Sequence, residues 1–285
     1  MFEGYKIIDG HVHIFANDEI ASRIMKTFNK MYNIEFQNPG TGSKTNVIDN
    51  MEKGGIDATL ITNFYTPKIM KDSNEFWIKV AQQSDNKLVP LVNFHPEFDG
   101  SMPEYLHKYI GEGAKGIKLH PMGQSFSMLD SKMQDLYREC NAIKFPILVH
   151  CGRVSNARLN EYSDIEHIIP IIEKYPDIPV ILAHMADGNK NDVLEISRNF
   201  ENVYFDTSIV ITGYNEIARV NEPSWLDDEY VVEVIEQIGA HKVVFGSDYP
   251  WGSPIPDIHR ISKMNLSKSQ KSMIFSENAS RIYKL

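Results

Sequence analysis

The sequence has few cysteines and no long apolar run. Its 285 residues include two cysteines, Cys140 and Cys151, which are too few for a disulfide framework and form no Cys-x-x-Cys pair. No stretch approaches the roughly 18 apolar residues of a membrane span. The strand-like run that begins at Tyr5 leaves no room for an export signal. These absences predict a cytoplasmic protein with no membrane partner.

Positive charge is also scarce. Lysine and arginine together number 29, against 38 aspartate and glutamate residues, and the formal net charge is −9. Proteins that bind nucleic acids or anionic membranes carry dense basic patches, and this chain has no such tract. Neither partner is therefore expected, and the predicted partner is a small-molecule substrate.

Short apolar runs recur along the chain and predict eight β-strands, at Tyr5–Asp9, Ala58–Asn63, Leu88–Phe94, Gly116–Leu119, Pro146–Val149, Val180–Ala183, Val203–Asp206 and Val243–Gly246. Most are continuously apolar, as strands buried on both faces are, and amphipathic helical stretches lie between them. Eight β/α units within about 250 residues are typical of a closed (β/α)8 TIM barrel, although an open doubly wound sheet has the same alternation. No linker divides the chain, so residues 1–285 are expected to form a single α/β domain.

Two connections are longer than such a barrel needs. Residues 15–57 follow the first strand and are expected to hold an extra helix, and residues 208–225 follow the seventh strand. Loops after the strands lie on the active-site face of this fold. Both segments are therefore candidate lids, with surface decoration as the alternative.

The histidines are unevenly placed along the chain. Six of the ten lie at or just after the predicted end of a strand, namely His11, His13, His95, His120, His150 and His184. A parallel barrel gathers these ends at one rim, so residues far apart in sequence converge there. His11 and His13 are two positions apart on an extended segment, so both rings face the same side and can bind one cation. Asp248, after the eighth strand, joins them at the rim.

The segments that carry these residues resemble the amidohydrolase superfamily, in particular the branch that includes aminocarboxymuconate-semialdehyde decarboxylase. The resemblance spans nearly the whole chain. Its motifs are Asp9-Gly10-His11-Val12-His13, Gly116-Ile117-Lys118-Leu119-His120-Pro121, Val149-His150, Leu182-Ala183-His184, Val203-Tyr204-Phe205-Asp206 and Phe245-Gly246-Ser247-Asp248-Tyr249-Pro250. The resemblance implies one divalent metal held by His11, His13, His150 and Asp248, with His184 assisting the attacking water.

Three imidazoles and one carboxylate suit zinc and leave a position for water, whose pKa the metal lowers to about 7. The predicted function is hydrolysis of a small, anionic amide, ester or lactone, with His184 and Asp248 as catalytic residues. Non-oxidative decarboxylation of an unsaturated or aromatic acid uses nearly the same groups and is the alternative. A non-catalytic barrel ranks last, because a structural zinc site is closed to water.

Three further residues are expected to bind the substrate, namely Lys118, Arg153 and His120. The two cations favour an anionic substrate. Binuclear members of the superfamily use a carboxylated lysine at the position of Lys118 to bridge two metals. One metal is the preferred interpretation here, with Lys118 contacting the substrate or a rim carboxylate. Family habit also suggests a homodimer.

Other polar residues near the rim leave alternatives open. His95 and His120 either line the pocket or bond to backbone carbonyls. Asp206 either contributes to the rim or caps the turn that follows it. Cys151 is expected to pack in the core, because strand alternation turns it away from the face used by His150.

Overall fold

An eight-stranded parallel sheet forms the centre of the molecule, for which a computed structural model describes residues 2–32, 40–152, 160–212 and 226–285. Each strand pairs with the next one in sequence, in the order β1 to β8. The strands are β1 (Ile8–Val12), β2 (Ala58–Ile61), β3 (Leu88–Asn93), β4 (Gly116–Leu119), β5 (Ile147–Val149), β6 (Val180–Leu182), β7 (Val203–Asp206) and β8 (Val243–Val244). The predicted single-domain (β/α)8 barrel is therefore confirmed.

Helices surround the sheet. They are α1 (Asp18–Tyr32), α2 (Lys44–Gly54), α3 (Pro67–Gln82), α4 (Met102–Gly111), α5 (Pro121–Gln124), α6 (Gln134–Ile143), α7 (Ile169–Lys174), α8 (Lys190–Asn199), α9 (Asp228–Ile238), α10 (Pro254–Lys263), α11 (Lys268–Ser272) and α12 (Asn278–Tyr283), with 3-10 turns at Ser131–Met133, Ile165–His167 and Ala240–Lys242 and a π-helical turn at Met273–Glu277. Apolar residues at helical spacing face the strands, as Met70, Trp77 and Ile78 of α3 illustrate. Within the described ranges, no helix is long and apolar enough to cross a membrane.

β1 lies later in the sequence than predicted, at Ile8–Val12 instead of Tyr5–Asp9. The reason is that Tyr5 forms a bridge with Phe2 in a tight local turn and does not join the sheet. The shift places His11 inside the strand and leaves His13 just beyond its end.

The predicted extra helix is α1, because α2 already provides the connection from β1 to β2. Ser43 begins α2 by accepting a hydrogen bond from the backbone N–H of Asn46, as an N-cap residue does. Both lid candidates extend beyond the described residues, at 33–39 and at 213–225, and their role as lids stays a prediction.

The seam between the two ends of the sheet runs through the segment after β8. The backbone N–H of Gly10 donates to the carbonyl of Phe245 at 2.8 Å, and that of Asp248 donates to the carbonyl of His11 at 2.8 Å. A Cβ atom at position 10 would lie 2.8 Å from the Phe245 oxygen, so the approach requires glycine. The seam completes the barrel and brings Asp248 against β1 at the carboxyl rim.

Asp9 also joins the two sides of this seam. Its carboxylate accepts hydrogen bonds from Ser247 N at 2.9 Å, Ser247 Oγ at 2.7 Å and His11 N at 3.3 Å. Burial raises the pKa of Asp9 to about 7, although the bonds from Ser247 oppose the shift. The contact fixes the last strand against the first.

Candidate metal centre

His11, His13 and Asp248 form a cluster at the carboxyl rim. The Nε2 atoms of the two histidines lie 3.3 Å and 3.2 Å from the Oδ1 atom of Asp248. The three ligand atoms are close enough to bind one cation. Three of the four predicted metal ligands are therefore brought together by β1 and the barrel seam.

The protonation states in this cluster suit a divalent metal. Burial lowers the pKa of His11, and it lowers that of His13 to about 4 against the attraction of Asp248. Burial alone would raise the pKa of Asp248, but the neighbouring His11 and His13 lower it to about 2. Neutral imidazoles and an ionised carboxylate are the forms in which these side chains bind metals.

His150 reaches the rim from the end of β5. It lies outside the tight group that His11, His13 and Asp248 form, and its Nδ1 atom lies 3.1 Å from Nε2 of His184. Its own Nε2 atom is buried and finds no hydrogen-bond partner among the residues that the structure describes. Such an atom is costly to bury unless a ligand satisfies it. The donor set of this rim therefore fits a divalent cation.

Two residues of the rim have left-handed backbone angles. Asp248 has a φ of 58°, and His184 has a φ of 57° and begins a left-handed turn, His184–Asp187, that continues through Met185 and Ala186. A left-handed conformation costs about 1–2 kcal/mol for an ordinary L-residue. Strained positions of this kind concentrate at functional sites.

Asp206 supports His11 from the side opposite Asp248. Its Oδ2 atom lies 2.8 Å from Nδ1 of His11, while Oδ1 accepts from the backbone N–H groups of His184 at 2.9 Å and Ser208 at 3.1 Å. Burial disfavours its charged form, but His11 and His184 hold the pKa of Asp206 below its ordinary range. Asp206 thus takes both roles that the sequence left open, since it caps the turn and contacts a predicted ligand.

Lys118 is fully buried beneath the cluster. Its Nζ atom lies 2.9 Å from Nε2 of His11. Burial lowers the pKa of Lys118 to about 8, against the attraction of Asp248 and Asp206. The ammonium group contacts a predicted metal ligand, and substrate binding by Lys118 stays a prediction.

Two half-buried aromatic side chains flank His13 and a third packs against both of them; we call Phe28, Phe64 and Trp251 the aromatic group. The rings of Trp251 and Phe64 lie edge-on to His13, with centroids 4.8 Å and 5.8 Å away. Phe28, on α1, packs against both of these rings, with centroid distances of 5.1 Å to Trp251 and 5.7 Å to Phe64. No sequence motif marks these residues, which come from three separate connections. They give the metal cluster an apolar neighbour.

The amidohydrolase family model matches residues 8–285. The chain belongs to the amidohydrolase family. Among the curated proteins, no sequence matches it significantly.

Solved structures resemble this amidohydrolase over nearly its whole length. An uncharacterized TIM-barrel protein from Bordetella bronchiseptica is 17% identical, with a TM-score of 0.74 and coverage of 97% of this chain and 98% of the other. A 5-carboxyvanillate decarboxylase from Novosphingobium aromaticivorans is 15% identical, with a TM-score of 0.71 and coverage of 99% and 98%. A dihydroxybenzoic acid decarboxylase from a Polaromonas species is 13% identical, with a TM-score of 0.69 and coverage of 99% and 97%. At these identities the likeness shows a shared fold.

His95 and Cys151 have structural roles in this amidohydrolase. Nδ1 of His95 accepts from the backbone N–H of Glu97 at 3.0 Å, and its Nε2 lies 3.2 Å from the carbonyl oxygen of Gln124. Both ring nitrogens are therefore used by the backbone. Cys151 packs in the hydrophobic core, as its position predicted.

His120 stays a candidate for substrate contact. Its Nδ1 accepts from the backbone N–H of Gly123 at 3.0 Å, so the neutral ring carries its proton on Nε2. The ring packs between Phe64 and His150, with centroid distances of 4.1 Å and 3.9 Å. Arg153, the other predicted substrate ligand, lies outside the described residues.

Proposed function

We propose that this amidohydrolase is a metal-dependent, non-oxidative decarboxylase of an aromatic carboxylic acid. The observation that carries the proposal is the aromatic group, whose rings meet His13 edge-on at 4.8 Å and 5.8 Å. Aromatic side chains favour edge-on or offset contacts with another ring, so a substrate ring is a suitable occupant beside the cluster. Hydrolysis, the main expectation from the sequence, rests on family membership alone.

Two of the similar structures support the same reaction. The Novosphingobium and Polaromonas proteins are named as decarboxylases of aromatic acids, and both structures contain manganese and a nitro-substituted aromatic compound. The decarboxylase alternative is therefore better supported than hydrolysis of an amide, ester or lactone.

The proposed metal ligands are His11, His13, His150 and Asp248. The nitrogen-rich set favours zinc, whereas the two decarboxylases contain manganese. A divalent cation bound there supplies Lewis acidity, which stabilises negative charge on a substrate oxygen. Elemental analysis of the purified protein, expected to find about one ion per chain, decides between the two metals.

Decarboxylation exchanges a carbon–carbon bond for a carbon–hydrogen bond. A proton reaches the ring carbon that bears the carboxylate, the electron pair of the breaking bond stays with the ring, and carbon dioxide leaves. The reaction needs no oxidant or reductant. The substrate is an anion before the reaction, which agrees with the anionic substrate expected from the sequence.

Asp248 is the proposed proton carrier of this reaction: its ionised carboxylate takes a proton from water and passes it to the ring carbon. Its side chain is 13% exposed, whereas those of His11 and His13 are 1% and 5% exposed, so its carboxylate is the part of the cluster nearest to the opening. His120 is proposed to donate its Nε2 proton in a hydrogen bond to a substrate oxygen. His184 has partners at both ring nitrogens, and its proposed role is exerted through His150.

A side-by-side assay in deuterated water tests the reaction. Hydroxybenzoic acids are compared with lactones, esters and amides on the metal-loaded protein, following both carbon dioxide and acid release. We expect carbon dioxide from an aromatic acid, and deuterium at the carbon that carried the carboxylate. Hydrolysis without release of carbon dioxide from any acid would make the protein a hydrolase.

Substitutions in the aromatic group test where the ring binds. Phe64→Leu and Trp251→Leu are each expected to lower kcat/KM by about fivefold, since an aromatic contact contributes about 1 kcal/mol beyond its buried area. Phe76→Leu is the matched control, because Phe76 is an exposed ring on α3 that contacts Trp77 and not the cluster. Equal activity of all three variants would contradict the assignment.

A further inference from the structure

Ser208 lies between two of the rim histidines. The residue follows β7 and is fully buried. Its hydroxyl donates to Oδ1 of Asp206 and lies 3.2 Å from Nδ1 of His11 and 2.9 Å from Nδ1 of His184. A hydroxyl has one proton to donate. Because that proton goes to Asp206, both ring nitrogens that approach the oxygen must carry a proton themselves.

Two independent contacts require the same protonation. Nδ1 of His11 also lies 2.8 Å from a carboxylate oxygen of Asp206, and Nδ1 of His184 lies 3.2 Å from the carbonyl oxygen of Ser208. The ionised carboxylate and the carbonyl can only accept. Each neutral ring therefore keeps its lone pair on Nε2, and Nε2 of His11 indeed faces a donor, the Nζ atom of Lys118 at 2.9 Å.

The arrangement extends to a third ring. Since Nε2 of His184 holds a lone pair, it accepts from Nδ1 of His150 at 3.1 Å. The remaining lone pair of His150 then lies on Nε2, the buried atom for which the described part of the chain offers no partner. The hydroxyl and carbonyl of Ser208 and the carboxylate of Asp206 thus determine together the proton positions of His11, His184 and His150.

We propose that Ser208, together with Asp206, is a positioning residue that fixes the tautomers of His11, His184 and His150. It thereby directs the Nε2 lone pairs of His11 and His150 to the metal. Groups that accept the second ring proton of a metal-binding histidine fix its tautomer and orientation in this way. The proposal rests on the proposed metal site and is independent of the reaction catalysed.

Ring tautomers and metal affinity are the two measurements. Histidine labelled with 15N reports the tautomers in the metal-free full-length protein, and competition with a chelator gives the affinity for zinc. Ser208→Ala is expected to weaken zinc binding by about tenfold, and Asp206→Asn by about 100-fold. In Ser208→Ala only the backbone carbonyl of residue 208, at 3.2 Å, still accepts the Nδ1 proton of His184, so the 15N signals of His184 and His150 should shift part of the way from the Nδ1-protonated towards the Nε2-protonated tautomer.

Thr207→Val is the matched control. Thr207 is also fully buried, but its hydroxyl contacts the backbone of Gly246 and no histidine. We expect the tautomers and zinc affinity of this variant to equal those of the parent protein. A readout of tautomers separates a positioning role from a general loss of stability, which would affect both variants.

Three outcomes would overturn the proposal. These are unchanged tautomers and zinc affinity in Ser208→Ala, an Nε2-protonated His11 or His150 in the parent protein, and a parent that binds neither zinc nor manganese. The last outcome would remove the proposed metal site as well. A parent that binds metal with the expected tautomers but releases no carbon dioxide would support the positioning role and contradict only the reaction.

Discussion

The two sides of the barrel rim hold their strand ends in place with different chemical groups. One side, which we call the amide side, uses the side chains of Asn63, Asn74, Asn93 and Gln124. The other, the titratable side, uses His11, His13, His150, His184, Asp206 and Asp248. Amide groups keep the same donors and acceptors at any pH, whereas the contacts of the titratable side depend on where protons lie.

Asn63 and Asn93 show how the amide side works. Asn63 accepts from the backbone N–H of Ile14 at 2.8 Å and donates to the carbonyl of the same residue at 2.7 Å, which continues the pairing of β1 with β2 past the strand ends. Asn93 donates to the carbonyl of Lys118 at 2.6 Å and accepts from Gln124 at 2.9 Å. These bonds satisfy buried backbone groups that have no strand partner.

The comparison shows that one set of residues holds the backbone at the rim in place and another set provides the groups that bind protons or a metal. The amide side fixes the backbone from which Lys118 and His120 project, and its four side chains do not titrate near neutral pH. The titratable side can therefore lose or gain protons, or bind a cation, while the strand ends on the amide side keep their hydrogen bonds.

The largest expected effect is loss of the metal from the titratable side. Asp248→Ala and His11→Ala remove proposed ligands and should weaken zinc binding by well over 100-fold, more than the loss of a group that only supports a ligand. Elemental analysis and chelator competition measure the change. Gln124→Ala, on the amide side, should retain the metal. Undiminished metal in either ligand variant would contradict the site.

Removing an amide should mainly affect stability. Asn93→Ala leaves several buried groups without partners and is expected to lower the free energy of unfolding by about 3 kcal/mol. Urea unfolding of the metal-free protein measures this change in the free energy of unfolding. The control is Gln82→Ala, whose amide contacts the carbonyl of Glu112 at the surface and should change stability by less than about 0.5 kcal/mol. Equal losses of unfolding free energy in Asn93→Ala and Gln82→Ala would show that the amide side stabilises the fold no more than a surface contact does.

His13, on the titratable side, should contribute to the pH dependence of stability. In the metal-free protein, His13 takes up a proton near pH 6.5 when unfolded but only near pH 4 when folded. The unfolded state therefore binds more protons between pH 6.5 and about pH 4. The contribution of His13 to stability is complete above pH 6.5 and is lost as the pH falls towards 4. Urea unfolding of His13→Gln over this range should show a flatter profile. Asn93→Ala should lower the whole curve without changing its slope, and a reversed pattern would contradict the division.

The smallest predicted effect concerns the left-handed turn that carries His184. Ala183 and Ala186 are both buried, but only Ala186 has a positive φ, of 49°. Glycine relieves about 1–2 kcal/mol of strain at a left-handed position and none elsewhere. Ala186→Gly should therefore be more stable than Ala183→Gly by about that amount in thermal unfolding. Equal stabilities would show that the turn is not strained.

The fold could be predicted because its signal is repeated. Eight apolar runs indicate eight buried strands even where one boundary is wrong, as at β1, whose position depends on the local turn between Phe2 and Tyr5. The convergence of His11, His13 and Asp248 could also be predicted, because parallel strand ends meet at one rim.

The supporting residues could not be predicted in the same way. The role of Ser208 depends on which nitrogen of each neighbouring ring faces its hydroxyl, and no spacing in the sequence specifies this. The aromatic group comes from three connections, and only the folded chain shows that Phe28 meets Trp251. The positions of Asn63 and Asn93 could have indicated a role at the rim, since each is a polar residue at or near the end of an apolar run.

The barrel seam has a consequence for the order of events during folding. Asp9 and Ser247 are 238 residues apart, and the seam that joins them also brings Asp248 to His11 and His13. Contacts of such sequence separation form late, because the loop between them must close first. A ribosome-bound chain that ends before β8 therefore lacks the metal cluster. Metal capture at the proposed site should therefore coincide with closure of the barrel, because the three ligands come together only when the seam has formed.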